Sequence, residues 1–391
     1  MKAKKILIGS MIAIGVLITL SLIFIRPALP RFWRGLNDKF SDDSYEQRTQ
    51  ENEQQIKERL LASCDLVGEN IYHLDYSADG KYIAISASDI EIRDGTNLNL
   101  IKRWPYGGIG PVAFHPNSRI LAHSAAGPDI RDGQVEIRTV PDGELIKTIY
   151  TDTDKDETDY DIIEQVEFSP DGKYLLTHAR YESRVMVWNT DTPPTGEASW
   201  SLKYALKKNE PYNAVQWTRF NPDSQSVYVS SESPLYNQSG KPVSVDQQAG
   251  WISQYRLIDG QKISELRNSF LLGCSRFYFS NRGKKIILEG IKKTNEQDGR
   301  TLLMAIFILA PPQELIWLSE IQGAGERSMD FINTYLGIGS SSGIFTIWDI
   351  EKQKRLYGVD LHGRIGELCF SSDGQKVAAA VGGSCYLFRV P

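Results

Sequence analysis

At 391 residues and 41% hydrophobic side chains the chain can bury a large core, while a formal net charge of −5 argues against nucleic acid as a partner, since phosphate binding needs a basic face. Eighteen Tyr, fourteen Phe and eight Trp suit strands better than helices. Four cysteines at this length are too few for a disulfide scaffold.

After a five-residue tail, the run 6–25 reads ILIGSMIAIGVLITLSLIFI and carries no charge. Twenty helical residues rise about 30 Å, the hydrocarbon thickness of a bilayer, so a single transmembrane helix is expected there. Lys2, Lys4 and Lys5 precede it, and Arg26, Phe32, Trp33 and Arg34 follow in a pattern that suits the headgroup interface. A cleaved signal peptide would show a shorter apolar region followed by a small-x-small site, and the run instead continues into Arg26-Pro27. Positive charge is nearly balanced across the run. The short lysine-bearing tail favours the cytoplasm, which places the rest of the chain outside it; the reverse orientation leaves that part cytoplasmic.

Residues 26–57 read as a stalk or linker. Within 40–61, FSDDSYEQRTQENEQQIKERLL is rich in helix formers behind the candidate N-caps Ser41 and Asp42, and it lacks a sustained heptad. A polar, solvated helical stalk is expected.

From residue 58 the sequence repeats itself. An alternating strand ends in an aromatic, a tight turn follows, and a second strand returns: YHLDYSADGKYIAIS, VAFHPNSRILAHS, VEFSPDGKYLLTH, TRFNPDSQSVYVS, FYFSNRGKKIILE, MDFINTYLGIGS and LCFSSDGQKVAAA. The strand-ending aromatics are Tyr76, Phe114, Phe168, Phe220, Phe279, Phe331 and Phe370. A third strand follows each pair (IEIRD, VEIRT, VMVWN, ISQYR, LMAIFIL, FTIWD, CYLFRV), and a fourth follows in the first six units. A period of roughly 40–50 residues with four strands per unit is the signature of propeller blades, because one such sheet cannot cover both its faces alone. Residues 58–391 are therefore expected to form an all-β, seven-bladed propeller.

The stretch SSSGIFTIWDIEKQKRLYGVDLHGRIGELCFSSDG, residues 340–374, carries Trp348-Asp349 and, further on, His362; Trp188-Asn189 is a second near match. In these residues the chain resembles the WD40-repeat family over 58–391. Most units lack the Trp-Asp and Gly-His pairs, so the hydrogen-bond network that typical family blades share is expected to be incomplete, and no family ligand site carries over. The seventh unit stops at Pro391 after its third strand. The resemblance implies that residues 58–64 supply the outer strand of that last blade and remove an otherwise open edge. Antiparallel pairing with 385–390 would bring Cys64 near Cys385, either as a disulfide in an oxidising compartment or as two buried thiols.

In such blades the a–b and c–d turns lie on one face and the b–c and d–a loops on the other. Insertions gather on the second face: b–c loops at 125–133, 232–249 and 291–301, d–a loops at 151–161 and 207–212, with one c–d exception at 191–198. Long loops on a rigid scaffold are where binding resides. Candidate partner-binding residues are Glu232, Tyr236, Asn237 and Trp251, with Asp154, Asp156 and Asp159 of the acidic run. The stalk is expected to reach its outer strand from the opposite face, so that the elaborated face points away from the membrane.

Other motifs favour bland readings. Asp152, Asp154, Asp156, Asp159 and Asp161 resemble a calcium loop, but Glu157 stands where glycine is needed and Ile163 where glutamate is. Residues 339–343 match G-x-S-x-G within a hairpin, without the strand-to-helix elbow the chemistry needs. The five histidines lack metal-ligand spacing. Asn237 opens a glycosylation sequon. The reading is a membrane-tethered scaffold for protein partners, with no catalytic, cofactor or metal residues. The alternative is a sensor or enzyme that holds a small ligand or metal in the central channel, where Asp75, Glu167, Asp330 and Glu367 lie on inner strands.

Overall fold

The computed structural model describes residues 45–391 apart from 67–68, 106–109, 126–132, 152–161, 180–183, 191–200, 207–214, 232–249, 269–272, 280–284, 294–299, 309–313, 321–327 and 353. Among the described residues one helix, α1 (Tyr45–Arg59), precedes 28 strands, β1 to β28. The strands form seven four-stranded antiparallel sheets. Six are meanders in chain order, and the other joins β1 (Leu60–Asp65) to β28 (Ser384–Arg389), β27 (Lys376–Val381) and β26 (Ile365–Phe370). The innermost strands are β2 (His73–Tyr76), β6 (Val112–Phe114), β10 (Ile163–Phe168), β14 (Val215–Phe220), β18 (Gly273–Phe279), β22 (Ser328–Ile332) and β26. Each packs against the next, and β26 returns to β2, so the ring is closed. This is a β-propeller.

Closure rests on β1. It runs antiparallel to β28 with Cys64 opposite Cys385 and Asp65 opposite Ser384, and a register shift lies between Leu60 and Ala62. The closing strand begins two residues later than the sequence suggests, because Glu58 and Arg59 still belong to α1.

The a–b turns repeat one hydrogen-bond pattern. In Ser77-Ala-Asp-Gly80, Ser169-Pro-Asp-Gly172 and Ser371-Ser-Asp-Gly374 the serine hydroxyl donates to the aspartate at 2.8, 2.7 and 2.6 Å. The same hydroxyl accepts the N–H of Tyr82, Tyr174 and Lys376. The glycines sit at φ 69, 74 and 69°, where an L side chain is strained. In the second and fourth units serine takes this left-handed position, and the hydroxyls of Ser118 and Ser224 accept the N–H of Asp79 and Asp171 in the preceding blade. The turn residues thus also tie neighbouring blades together.

Two third strands carry arginine where two others carry tryptophan, and the arginines keep the same hydrogen-bond geometry. Trp348 Nε1 donates to Thr346 two residues back at 3.0 Å, and Trp188 Nε1 donates to Thr177 at 3.0 Å. Arg93 and Arg138 hold the equivalent positions and donate to Glu91 and Glu136, again two residues back, at 2.6 and 2.8 Å. Each arginine also donates to a turn carbonyl, Leu98 or Gly143. His362 takes no part in a buried network; it is exposed in a d–a loop, where its N–H donates to Asp360.

Helix α1 is not a solvated stalk. Asn52, Ile56, Arg59 and Leu60 form a half-buried stripe at helical spacing. The stripe lies against β25 (Lys354–Asp360), the outer strand of the adjacent blade. The Asn52 amide pairs with the strand edge as a backbone would: its Nδ2 donates to the Asp360 carbonyl at 2.9 Å and its Oδ1 accepts the Asp360 N–H at 2.8 Å. Tyr357 donates to the Gln55 carbonyl, and Arg59 lies over the Tyr357 ring at 5.6 Å. Ile56 and Leu60 pack on the cluster of Tyr357, Val359 and Phe388.

The helix therefore runs antiparallel to β25. Asn52 lies at the end of β25 that leads into a d–a loop, so the earlier turns of α1, from Tyr45 on, extend toward the b–c/d–a face. The expected approach from the opposite face is corrected by this reversal. Among the described residues no helix is long and apolar enough to cross a membrane, and the run 6–25 lies outside them.

Gly80→Ala should cost about 1 kcal/mol from positive φ alone, because a Cβ there meets nothing within 4 Å. Gly172→Ala should cost at least about 2 kcal/mol, because its Cβ would stand 2.5 Å from His115 Nε2 and break that nitrogen's bond to the Gly172 carbonyl. Urea unfolding of both variants checks the order. Asn52→Ala should cost about 1–2 kcal/mol and speed exchange of the Asp360 amide, read by hydrogen exchange.

Candidate functional site

The seven inner strands share one side-chain register. The residue just before each strand-ending aromatic and the residue two before that one lie on the same strand face, so both rows turn toward the ring axis. The first row holds Asp75, Ala113, Glu167, Arg219, Tyr278, Asp330 and Cys369. The second holds His73, Pro111, Gln165, Trp217, Arg276, Ser328 and Glu367, nearer the b–c/d–a face.

Part of this polar lining links the blades. Asp75 accepts the N–H of Phe114 in the next inner strand at 2.6 Å, and Asp330 accepts that of Phe370 at 2.7 Å. Gln165 bonds both the N–H and the carbonyl of Thr218. Tyr278 donates to the Met329 carbonyl. These groups replace ladder bonds that adjacent inner strands cannot make with each other.

The remainder converges without full pairing. Arg219 Nη1 lies 3.7 Å from Glu167 Oε1, and the two side chains are 30% and 19% exposed. Their position is thus enclosed yet still reached by solvent. The Arg219 guanidinium covers the Tyr278 ring at 5.0 Å and the Trp217 ring at 5.7 Å, and Arg276 covers Trp217 at 4.9 Å. Among the described residues, Arg219 Nε, Trp217 Nε1, Glu167 Oε2 and His73 Nδ1 are buried here without a hydrogen-bond partner. Burial pushes the carboxyls of Asp75, Glu167 and Glu367 up to about 7 and that of Asp330 up to about 6, against the pull of Arg219 on all of them. Burial, aided by Arg276 and Arg219, holds the His73 imidazole down to about 4. Near neutral pH the channel therefore carries two guanidiniums, a neutral imidazole and carboxyls in the middle of their titration. Such a lining can bind a small polar molecule through indole, guanidinium and carboxyl groups.

Asp75, Glu167, Asp330 and Glu367 read in the sequence as scattered; they stand on four different inner strands, and each feels the charge of Arg219. Arg219, Arg276, Trp217, Tyr278 and His73 were missed, although alignment of the repeats puts them in the same two rows. Among the described residues no three of His, Cys, Asp and Glu form a metal-holding group. Glu232, Tyr236, Asn237, Asp154, Asp156 and Asp159 lie outside the described residues. Trp251 is not a loop residue: it lies in β16 (Gly250–Arg256), opposite Ser231. Residues 340–343 form the turn between β23 (Tyr335–Gly339) and β24 (Ile344–Asp349), a plain hairpin. Cys64 and Cys385 face each other as free thiols, so the disulfide is not formed in this structure.

No protein-family model matches the sequence, and no curated protein does. Among solved structures the chain is similar to "Kuenenia stuttgartiensis Hydrazine Synthase", with a TM-score of 0.65 and 14% identity, over 84% of this chain and 97% of that one. At that identity the likeness supports the propeller fold and assigns no activity.

The carboxyl shifts predict a pH effect. An acid whose folded-state value lies above its unfolded value stabilises the fold at low pH and loses that contribution as pH rises, here between about 4 and about 7 for Glu367. Glu367→Gln, which resembles the protonated form, should raise Tm at pH 8 and leave it nearly unchanged at pH 4.5. Calorimetry of both proteins at the two values tests this.

Proposed function

We propose that the chain is a non-enzymatic, membrane-tethered scaffold of the WD40-like kind, whose propeller holds a protein partner through its b–c/d–a face. The observation that carries this reading is the docking of α1. It turns the Tyr45 end of the helix toward the b–c/d–a face, the face to which the sequence assigns most of the insertions. If 6–25 is the anchor, the elaborated face looks toward the membrane, and the partner belongs to a membrane complex. The tether and the extracytoplasmic placement of the propeller rest on the uncharged run 6–25 and the lysines before it. The family resemblance rests on Trp348-Asp349, Trp188-Asn189 and the four-stranded repeat.

A second reading is favoured by the unpartnered polar atoms of Arg219, Trp217 and Glu167: a small polar ligand in the channel. Native mass spectrometry of the purified chain separates the two. A stoichiometric small molecule that is lost in Arg219→Ala would favour the channel.

The scaffold reading is tested by crosslinking and proximity labelling in native membranes, with the tag at the exposed Pro391. A stable set of membrane-complex subunits is expected, and an empty result would shift weight to the channel. Alanine blocks within 232–249 should reduce that capture several-fold, while Lys81→Ala and Lys173→Ala in the a–b turns should leave it unchanged; the reverse pattern would refute the assigned face.

A further inference from the structure

The joint that closes the ring carries two cysteines directly across from one another. Cys64 of β1 is opposite Cys385 of β28 in an antiparallel pair. Opposed residues in such pairs have Cα atoms about 4.5–5.5 Å apart, inside the window of about 4.4–6.8 Å that a disulfide spans. Both side chains point to the same side of the sheet, where Cys64, Ala62 and the fully buried Cys385 pack on one cluster. The two thiols are hydrogen-bonded to each other.

Cys369, whose side chain packs on the same cluster as Cys64 and Cys385, is excluded as a rival partner. It lies on β26, opposite Ala378 of β27, whereas Cys385 lies opposite Ala380 of that same intervening strand. Two strand spacings separate β26 from β28, about 9.5 Å, which is beyond the reach of a disulfide.

We propose that Cys64 and Cys385 are a redox clasp that converts the non-covalent closure of the propeller into a covalent one. The oxidant is a disulfide, either the small-molecule disulfide of a monothiol or the active-site disulfide of an oxidoreductase. The Cys64 thiolate attacks one sulfur of that disulfide and expels the other as a thiolate. The Cys385 thiol then loses its proton and attacks Cys64 in the mixed disulfide, releasing the second thiol. One disulfide is reduced to two thiols while two cysteines are oxidised to one cystine, so atoms and electrons balance.

Three features suit Cys64 to the first step. It is half-buried on an outer strand rather than sealed in the core. The hydrogen bond from Cys385 holds its thiol below the usual range, and Arg93 adds to this against burial, Glu91 and Asp65. Cys385 is held well above its usual range by that same bond and by burial, which leaves it protonated until the mixed disulfide forms. The link would span nearly the whole propeller, from residue 64 to residue 385, so it removes a large share of the unfolded chain's freedom.

The test uses the full chain, incubated with oxidised glutathione and then alkylated. Tandem mass spectrometry should find the peptides bearing Cys64 and Cys385 joined, with the free thiols falling from four to two. The melting temperature should rise by about 5 °C or more and return on reduction. Cys64→Ser should abolish the rise, and Cys369→Ser should retain it. The idea is overturned if the folded chain keeps both thiols titratable, if a mixed disulfide persists on Cys64 without resolving, or if the cross-link joins another pair. Mass spectrometry of the unsubstituted chain decides these outcomes even where a variant fails to fold.

Discussion

The pairing of β1 with β28 is the constraint on which the rest of the molecule depends. Every other sheet is a meander whose strands follow one another in sequence, and such sheets form from local contacts. Only the last sheet needs a strand from the opposite end of the propeller, with Leu60 beside Phe388. Until that strand arrives, the final blade has an unpaired edge and the ring has two loose ends. Once it is in place, each sheet is covered by two neighbours and its outward faces are short. The fold is thus close to a one-dimensional stack bent into a circle, with nearest-neighbour interfaces and one long-range closing bond.

Bending the stack brings polar groups to the axis. The inner strands approach each other without a shared hydrogen-bond ladder, and Asp75, Asp330, Gln165 and Tyr278 supply bonds across those seams. These side chains are structural even though they line a channel. Arg219, Trp217, Glu167 and His73 lie in the same two rows but keep atoms without a partner in the protein.

Much of the fold was legible because its signals are local. The Asp-Gly turns and the strand-ending aromatics recur with a hydrogen-bond pattern that needs only six adjacent residues, as in Ser77 to Tyr82. The closing strand was legible through Cys64 and its neighbours, within two residues. The docking of α1 was not, because Asn52, Gln55 and Arg59 belong to a composition that reads as a solvated helix, and what they grip is backbone and an aromatic face. The departures from the Trp-Asp pattern were visible, but their meaning was not. Arg93 and Arg138 make the same bond two residues back that Trp348 makes, with a guanidinium in place of an indole. In the channel, attention to carboxylates and histidines passed over the two arginines and the tryptophan between them.

The clamp of Asn52 on Asp360 has a mechanical consequence. The closing strand is the element whose loss would open the ring, and it is also the first strand after the N-terminal segment. A pull delivered through Tyr45 does not reach β1 directly. It first loads α1 against β25, where two amide bonds, the Tyr357 hydroxyl and the Ile56 and Leu60 contacts lie side by side and share the force. The helix works as the strain relief on a cable, taking tension on the outside of one blade so that the seam in the next stays shut.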